Sequence, residues 1–308
     1  MNLNKIIKPK INDLPDKPIC LRGRLNTGTT CNLNCEFCYY QGNLKDPFRK
    51  LSIIENEINL LKASGMTSID LSGGESSIHP EFLTILDMCK NFDKIAMLTN
   101  GISFSDIDKL KEAKDHGLSE ILFSLHGWNT KSHNEKVDHK AFRKIIQAIK
   151  NAQELDMDIR INCTVQNDFD GRNYARIIKY LIRCGVKIQQ LNFLPLNRWE
   201  SSHKLDYLDY QKVSPKIMIF IDKDIVPVTV RYIPFCFMKG YEKYCVSTLD
   251  HIYDLTDWNI QTFDLTTVQD ITVESMLETA ITNRIASYDK PRSCKDCEFI
   301  LRCDGYEK

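Results

Sequence analysis

The sequence predicts an α/β fold built on a parallel sheet, and three observations predict it. Apolar patterning switches between strand-like and helix-like periods through six units between residues 20 and 210, the last incomplete. Each strand-like stretch feeds a helix-like one, an order that places helices outside a parallel sheet. The residues able to do chemistry fall at or near predicted strand ends, where parallel barrels carry their sites. Right-handed crossovers between such units can curl the sheet into an open barrel.

Residues 21–25 read as the first strand and run into a cysteine-rich loop. Ile54, Ile58 and Leu61 lie at helical spacing within 53–64. Residues 68–72 form the second strand, where Ile69 and Leu71 alternate with polar neighbours. A helix follows over about 80–91, then a strand at 94–98 closed by Thr99-Asn100-Gly101. Residues 104–116 are helical, and 121–125 form a strand followed by His126-Gly127. A helix at 140–155, a strand at 158–165, a helix at 174–184 and a strand at 189–193 complete the series.

The chain has 308 residues, with 41 basic and 41 acidic side chains. That balance gives no reason to expect a nucleic-acid partner. No apolar run approaches the roughly 20 residues needed to span a bilayer, so no membrane association is expected. The N-terminal residues lack a signal-peptide core, and the expected compartment is a reducing cytoplasm. Twelve cysteines in such a setting are not disulfide partners. Cys89 and Cys184 fall in helical patterns and Cys163 in a strand pattern, where each reads as a small buried residue, and Cys20 stands alone.

Cys31, Cys35 and Cys38 are spaced C-x3-C-x2-C, with Phe37 just before the last. A zinc site usually closes with four ligands, often in C-x2-C pairs. Three clustered thiolates fit a [4Fe–4S] cluster held at three irons with the fourth left open. Farther on, strand 68–72 ends in Gly73-Gly74-Glu75, a turn whose glycines let backbone approach a ligand closely.

These two motifs resemble those of the radical S-adenosylmethionine (SAM) superfamily. The resemblance covers residues 20–210 and implies a partial (β/α)6 barrel. It also implies that SAM chelates the open iron and is cleaved to a 5′-deoxyadenosyl radical that abstracts hydrogen. Residues Gly73, Gly74 and Glu75 would then hold the methionine amino group of SAM. Ser76 stands where the family often has proline. Asn100, Ser124, Arg160 and Asn162 lie where family members contact SAM, although such groups can also cap loops. His126 and His133 are further polar candidates, with no catalytic role assigned to any residue.

Beyond about residue 211 the alternation fades. Residues 225–236 are rich in β-branched side chains and read as a strand, its two prolines suiting an edge or the ends. Cys236 and Cys245 flank a glycine-containing turn that suits a hairpin. Cys294, Cys297 and Cys303 follow with C-x2-C-x5-C spacing. This region resembles the cysteine-rich extension called SPASM, or its shortened form, twitch. The resemblance implies one auxiliary [4Fe–4S] cluster, with Cys236, Cys245, Cys294 and Cys297 as preferred ligands, Cys303 as the rival, and structural zinc as the alternative. The expected organisation is an extension at 1–19, a barrel at 20–210 and a twitch-like domain at 211–308. The expected activity is hydrogen abstraction from a small polyol or sugar-like substrate, an oxidation assisted by the auxiliary cluster, with flavodoxin or ferredoxin as reductant. A peptide-modifying maturase and a non-catalytic iron–sulfur sensor are the alternatives.

Overall fold

The computed structural model describes residues 22–38, 40, 47–63, 65–196, 205, 208–246, 282, 286 and 288–307. Cys20 and the extension at 1–19 lie outside them, as does much of the segment between 247 and 287. A single sheet holds β1 (Arg22–Asn26), β2 (Ser68–Ser72), β3 (Lys94–Thr99), β4 (Leu118–Ser124), β5 (Asp158–Val165), β6 (Gln190–Pro195), β7 (Val228–Arg231) and β8 (Cys245–Val246). These eight strands stand in sequence order with every neighbouring pair parallel. The helices are α1 (Leu51–Ala63), α2 (Phe82–Met88), α3 (Ile107–Asp115), α4 (Thr130–Val137), α5 (Phe142–Glu154), α6 (Gly171–Arg183) and α7 (Tyr210–Ile221). A two-stranded antiparallel ribbon pairs β9 (Tyr288–Asp289) with β10 (Tyr306–Glu307).

The period-two pattern sets which strand residues meet the helices. Ile69, Leu71, Ile121, Phe123, Ile159, Ile161, Leu191 and Phe193 are buried in one apolar core with Ile54 and Ile58 of α1, Ile145 and Ile149 of α5, and Ile178 of α6. Each large side chain so buried contributes roughly 1.5–3 kcal/mol. The alternate residues face the other side and include a set of charged side chains. Arg22 on β1 pairs with Asp70 on β2 at 2.5 Å and with Glu120 on β4 at 3.2 Å. Arg160 on β5 contacts Glu120 and lies 3.8 Å from Asp70, while Lys94 on β3 lies 3.1 Å from Glu120. In a flat sheet β1 and β4 would stand about 14 Å apart, at about 4.8 Å per strand. Direct ion pairs across that span require a curled sheet, and the result is an open half-barrel with a charged concave side.

Burial pushes the Glu120 carboxyl up, but Arg160, Arg22 and Lys94 outweigh it and leave its pKa below the usual carboxylate range. The carboxylate is the hub of three cations drawn from three different strands.

The structure differs from the sequence expectation in five places. Cys184, expected as a small buried residue, is exposed at the C-terminal cap of α6, whereas Cys89 and Cys163 are buried. Helix α4 lies in a polar stretch that carries little apolar period; its mark is a capping box in which Asn129 and Ser132 exchange side chain-to-backbone hydrogen bonds. Helix α7 contains Pro215, yet Asp209 caps its start and Val213, Ile217, Phe220 and Ile221 supply a buried face. β7 joins the barrel sheet beside β6: Pro227 has no N–H, but its carbonyl accepts from Leu191 at 2.9 Å. The expected hairpin between Cys236 and Cys245 is replaced by two 3-10 turns, Phe235–Phe237 and Glu242–Tyr244, after which Cys245 pairs parallel to Val230.

Replacing Glu120 by Leu should cost about 3–5 kcal/mol, because it leaves buried cations without their shared carboxylate. Urea denaturation of the two proteins checks this; a loss below about 1 kcal/mol would show that the cluster is not needed to hold the curl.

Candidate active site

The cysteine loop is zipped to the end of β2. Thr27 N–H donates to Ser72 O at 2.9 Å, Gly74 N–H to Gly28 O at 2.9 Å, and Glu75 N–H to Thr30 O at 2.9 Å. The glycines permit this approach. A Cβ on Gly73 would lie 2.4 Å from Gly28 O, and one on Gly74 would lie 2.2 Å from Thr30 O. Gly73 also has φ of +131°, a region that favours glycine. The Gly-Gly pair thus lets the cysteine loop pack as well as leaving backbone open to a ligand.

The far side of the loop is held by α4 and β5. Asn34 and Glu36 N–H groups donate to Val137 O and Lys136 O at 3.4 and 3.1 Å. Gln166 Nε2 donates to Glu36 Oε1 at 3.0 Å. Lys136, itself buried, contacts Gln166 and pairs with Asp168 at 2.5 Å. Sequence reading missed Lys136, Gln166 and Glu36; the capping box before α4 was the available signal.

Cys38 N–H donates to Cys35 O at 3.0 Å, so the last two cysteines lie on one turn. Cys31 Sγ accepts from Leu33 N–H at 3.4 Å and from Asn100 Nδ2 at 3.8 Å. Burial pushes the Cys31 thiol up to about 11, against the Leu33 hydrogen bond, with Glu75 and Cys38 adding to the rise. Burial also raises Cys35, followed by the charges of Cys38 and Cys31. Cys31 and Cys35 are thus thiols as they stand, and a cationic centre beside them would draw off their protons. Among the described residues no three Cys, His, Asp or Glu groups converge on one ion. A cube ligated at three separate irons asks for no such convergence, and soft thiolates are its donors.

Glu75 is buried and heavily bonded. Its Oε1 accepts from Thr99 Oγ1 at 2.8 Å and Ser77 Oγ at 2.6 Å, and its Oε2 accepts from Asn100 N–H at 2.8 Å. Burial raises its pKa against these hydrogen bonds. The carboxylate ties the end of β2 to the end of β3. Asn100 also donates to Asn32 Oδ1 at 2.7 Å, joining that junction to the cysteine loop. Ser124 and Asn162 sit side by side in register on β4 and β5. Arg160 lies one rung below Asn162, with its guanidinium against Glu120 and Asp70.

His126 and His133 are both buried. Thr164 N–H donates to His126 Nδ1 at 3.0 Å, and His126 N–H to His133 Nδ1 at 3.2 Å. Both rings are therefore neutral, with the proton on Nε2. Phe37 of the cysteine loop meets His126 edge-on, with ring centroids 4.7 Å apart. Burial, then Lys136, pushes His133 down to about 4.

The C-terminal cysteines gather in one region. Cys236 Sγ lies 3.7 Å from Tyr306 Oη. Burial raises Cys294, with Cys297 and Cys236 adding to the rise. Burial pushes Cys245 up to about 12, with Cys303 contributing next. Buried Lys290 donates to Ile300 O at 2.6 Å and senses Cys303, Cys294 and Cys297. Cys294 thus neighbours Cys297 and Cys236, and Cys245 neighbours Cys303.

Two outcomes test this arrangement. Gly74→Ala should displace the cysteine loop and lose most of the iron bound there, while circular dichroism shows the fold retained; full iron content would show that the zip is dispensable. For His133, the folded pKa lies below the unfolded value of 6.5, so the unfolded chain binds more protons between pH 6.5 and about 4. Stability should be lost as pH falls from 6.5 to about 4, by up to about 1.4 kcal/mol per pH unit for this one group. In His133→Asn the urea midpoint should vary less with pH over the same range.

The sequence profile of the radical SAM superfamily matches residues 25–181. The chain is 26% identical over 204 residues to a probable GTP 3′,8-cyclase of Thermoplasma volcanium, covering 65% of this chain and 61% of that protein. It is 24% identical over 191 residues to the GTP 3′,8-cyclase of Aquifex aeolicus, covering 58% and 59%. The chain thus spans about three fifths of the length of these relatives. Streptococcus suis SuiB bound to S-adenosylmethionine superposes with a TM-score of 0.65 over 94% of this chain and 73% of that one, at 13% identity, which is a likeness of fold. The relatives' names correct the expected polyol or sugar-like substrate and its oxidation: they are named for cyclising GTP. They are not named as peptide maturases or sensors either. The motifs that were legible make the radical, and they carry no information on what receives it. With the profile covering 25–181 of 308 residues and the cysteine loop, Gly-Gly-Glu turn and half-barrel assembled as described, the chain belongs to the radical SAM superfamily, enzymes that use a [4Fe–4S] cluster and SAM.

Proposed function

We propose that this enzyme cleaves SAM at a cluster held by Cys31, Cys35 and Cys38 and directs the radical at a purine nucleotide, GTP or a close analogue. The observation that carries the nucleotide is the activity for which the curated relatives are named. The concave face supports an anionic substrate. Arg24 of β1 stands in register with Asp70, its Nη2 reaching Ser72 Oγ at 2.5 Å, and Arg231 of β7 stands two rungs beyond Arg160 toward the C-terminal strand ends.

When bound, the cluster supplies the electron that splits SAM into methionine and the 5′-deoxyadenosyl radical. The chain's own residues do the rest. Asn100 donates toward the Cys31 sulfur and, through Asn32, fixes the loop. Gly73, Gly74 and Glu75 offer backbone and carboxylate to the methionine end of SAM, with Ser124 and Asn162 farther along the same face. Arg160 acts through the ion cluster that curls the sheet. Residues 211–308 carry a twitch-like unit, although β7 and β8 within them continue the barrel sheet past residue 210. It holds a second [4Fe–4S] cluster on Cys236, Cys245, Cys294 and Cys297, with Cys303 the rival. A flavodoxin or ferredoxin delivers the electron, in the cytoplasm.

Anaerobically reconstituted protein should hold about eight irons, and the Cys31/Cys35/Cys38→Ala variant about half of them with no SAM cleavage. GTP should accelerate 5′-deoxyadenosine formation by the wild type. Cleavage that survives in the triple variant would remove the cluster assignment; indifference to every purine nucleotide would remove the substrate class.

A further inference from the structure

On the concave face, one register row crosses four strands with neutral hydrogen-bonding side chains: Ser124, Asn162, Asn192 and Thr229. Asn192 lies between Leu191 and Phe193, which pack into the helix-side core, so its side chain faces the barrel interior. It is fully buried. Thr229 Oγ1 donates to Asn192 Oδ1 at 2.5 Å and itself accepts from Gln190 Nε2 at 3.4 Å. Asn192 Nδ2 has no hydrogen-bond partner among the described residues. Exchanging the amide oxygen and nitrogen does not remove the mismatch. The nitrogen would then donate to Thr229 and the oxygen would be left bare.

A buried polar atom without a partner lowers stability, and a pair of apolar side chains would fill the same space without that loss. Such a group persists where a ligand completes it. The row's chemistry narrows the ligand. Charges flank it, with Arg160 one rung below and Arg231 one rung above, while the row itself carries only amides and hydroxyls. An amide pinned by a hydroxyl suits a neutral acceptor, and a site built to bond a substrate oxygen rejects analogues lacking it strongly.

We propose that Asn192, oriented by Thr229, is a specificity-determining contact to the neutral part of the substrate: a ring hydroxyl or a base carbonyl instead of a phosphate. The row's existence rests on barrel geometry; its assignment to the nucleoside half rests on the nucleotide reading above. The test is the double variant Asn192→Leu/Thr229→Val, which removes the unpaired group and its partner together. Without substrate it should melt higher than the wild type and keep full iron content. It should also lose at least tenfold of the GTP-dependent acceleration of 5′-deoxyadenosine formation, with its slow substrate-free SAM cleavage unchanged. A lower melting temperature would overturn the proposal, since the row would then be structural. So would a higher melting temperature with GTP response intact. If the variant melts higher and the wild type itself ignores GTP, the unpaired Asn192 amide stands as a ligand contact and the nucleotide reading fails. Asn192→Asp alone, which keeps shape but exchanges the donor for a charge, should raise the KM for GTP more than it lowers kcat.

Discussion

Glu120 is the constraint on which the barrel depends. A parallel sheet with helices on one face has no intrinsic reason to curl as far as it does here, because strand twist alone sets no closure. The carboxylate of β4 collects Arg22 from β1, Arg160 from β5 and Lys94 from β3. Removing these charges from water is costly, and the cost is recovered only when they meet. That requirement excludes flat arrangements of the same strands. It also fixes where the ends of β1 through β5 stand relative to one another, and so where the loops carrying chemistry converge.

On that frame the catalytic loop is held from both sides. The β2 end supplies backbone acceptors and donors across Gly73 and Gly74; α4 supplies carbonyls of Lys136 and Val137. Between them Glu75 and Asn100 tie two strand ends to the cysteine loop. Whatever the three cysteines of one short loop hold is only as well placed as that loop. The buried neutral histidines behind it form a packed backing, with His126 against Phe37. Their neutrality follows from burial beside a buried lysine, which leaves no room for a second positive charge.

The strands and the cysteine loop were legible in the sequence because their signals are local. Alternation of Ile69 and Leu71 against polar neighbours, and the full span of β5 at 158–165, follow from period two. The C-x3-C-x2-C spacing is local too. Helix α4 was not legible because its contacts, through Lys136 and Val137, are made by backbone carbonyls and a buried lysine, not by an apolar stripe. Helix α7 was obscured by Pro215. β7 was legible as a strand, but nothing local says that its partner is β6, thirty-odd residues earlier in register.

By itself the sequence determined the radical SAM family, through motifs that resemble it, and the α/β class, since both are carried by residue types at short fixed spacings. The tertiary structure decided the rest. Arg160, legible as a polar residue on a strand, became part of a charge cluster because Glu120 lies within reach only after the sheet curls. Asn192 was invisible as a site residue, because an amide among apolar neighbours says nothing until register sets it beside Asn162 and Thr229 with one polar atom unpaired. The proposed substrate contact belongs to this second group. It is written across strands far apart in sequence, and only their packing places those side chains on one surface.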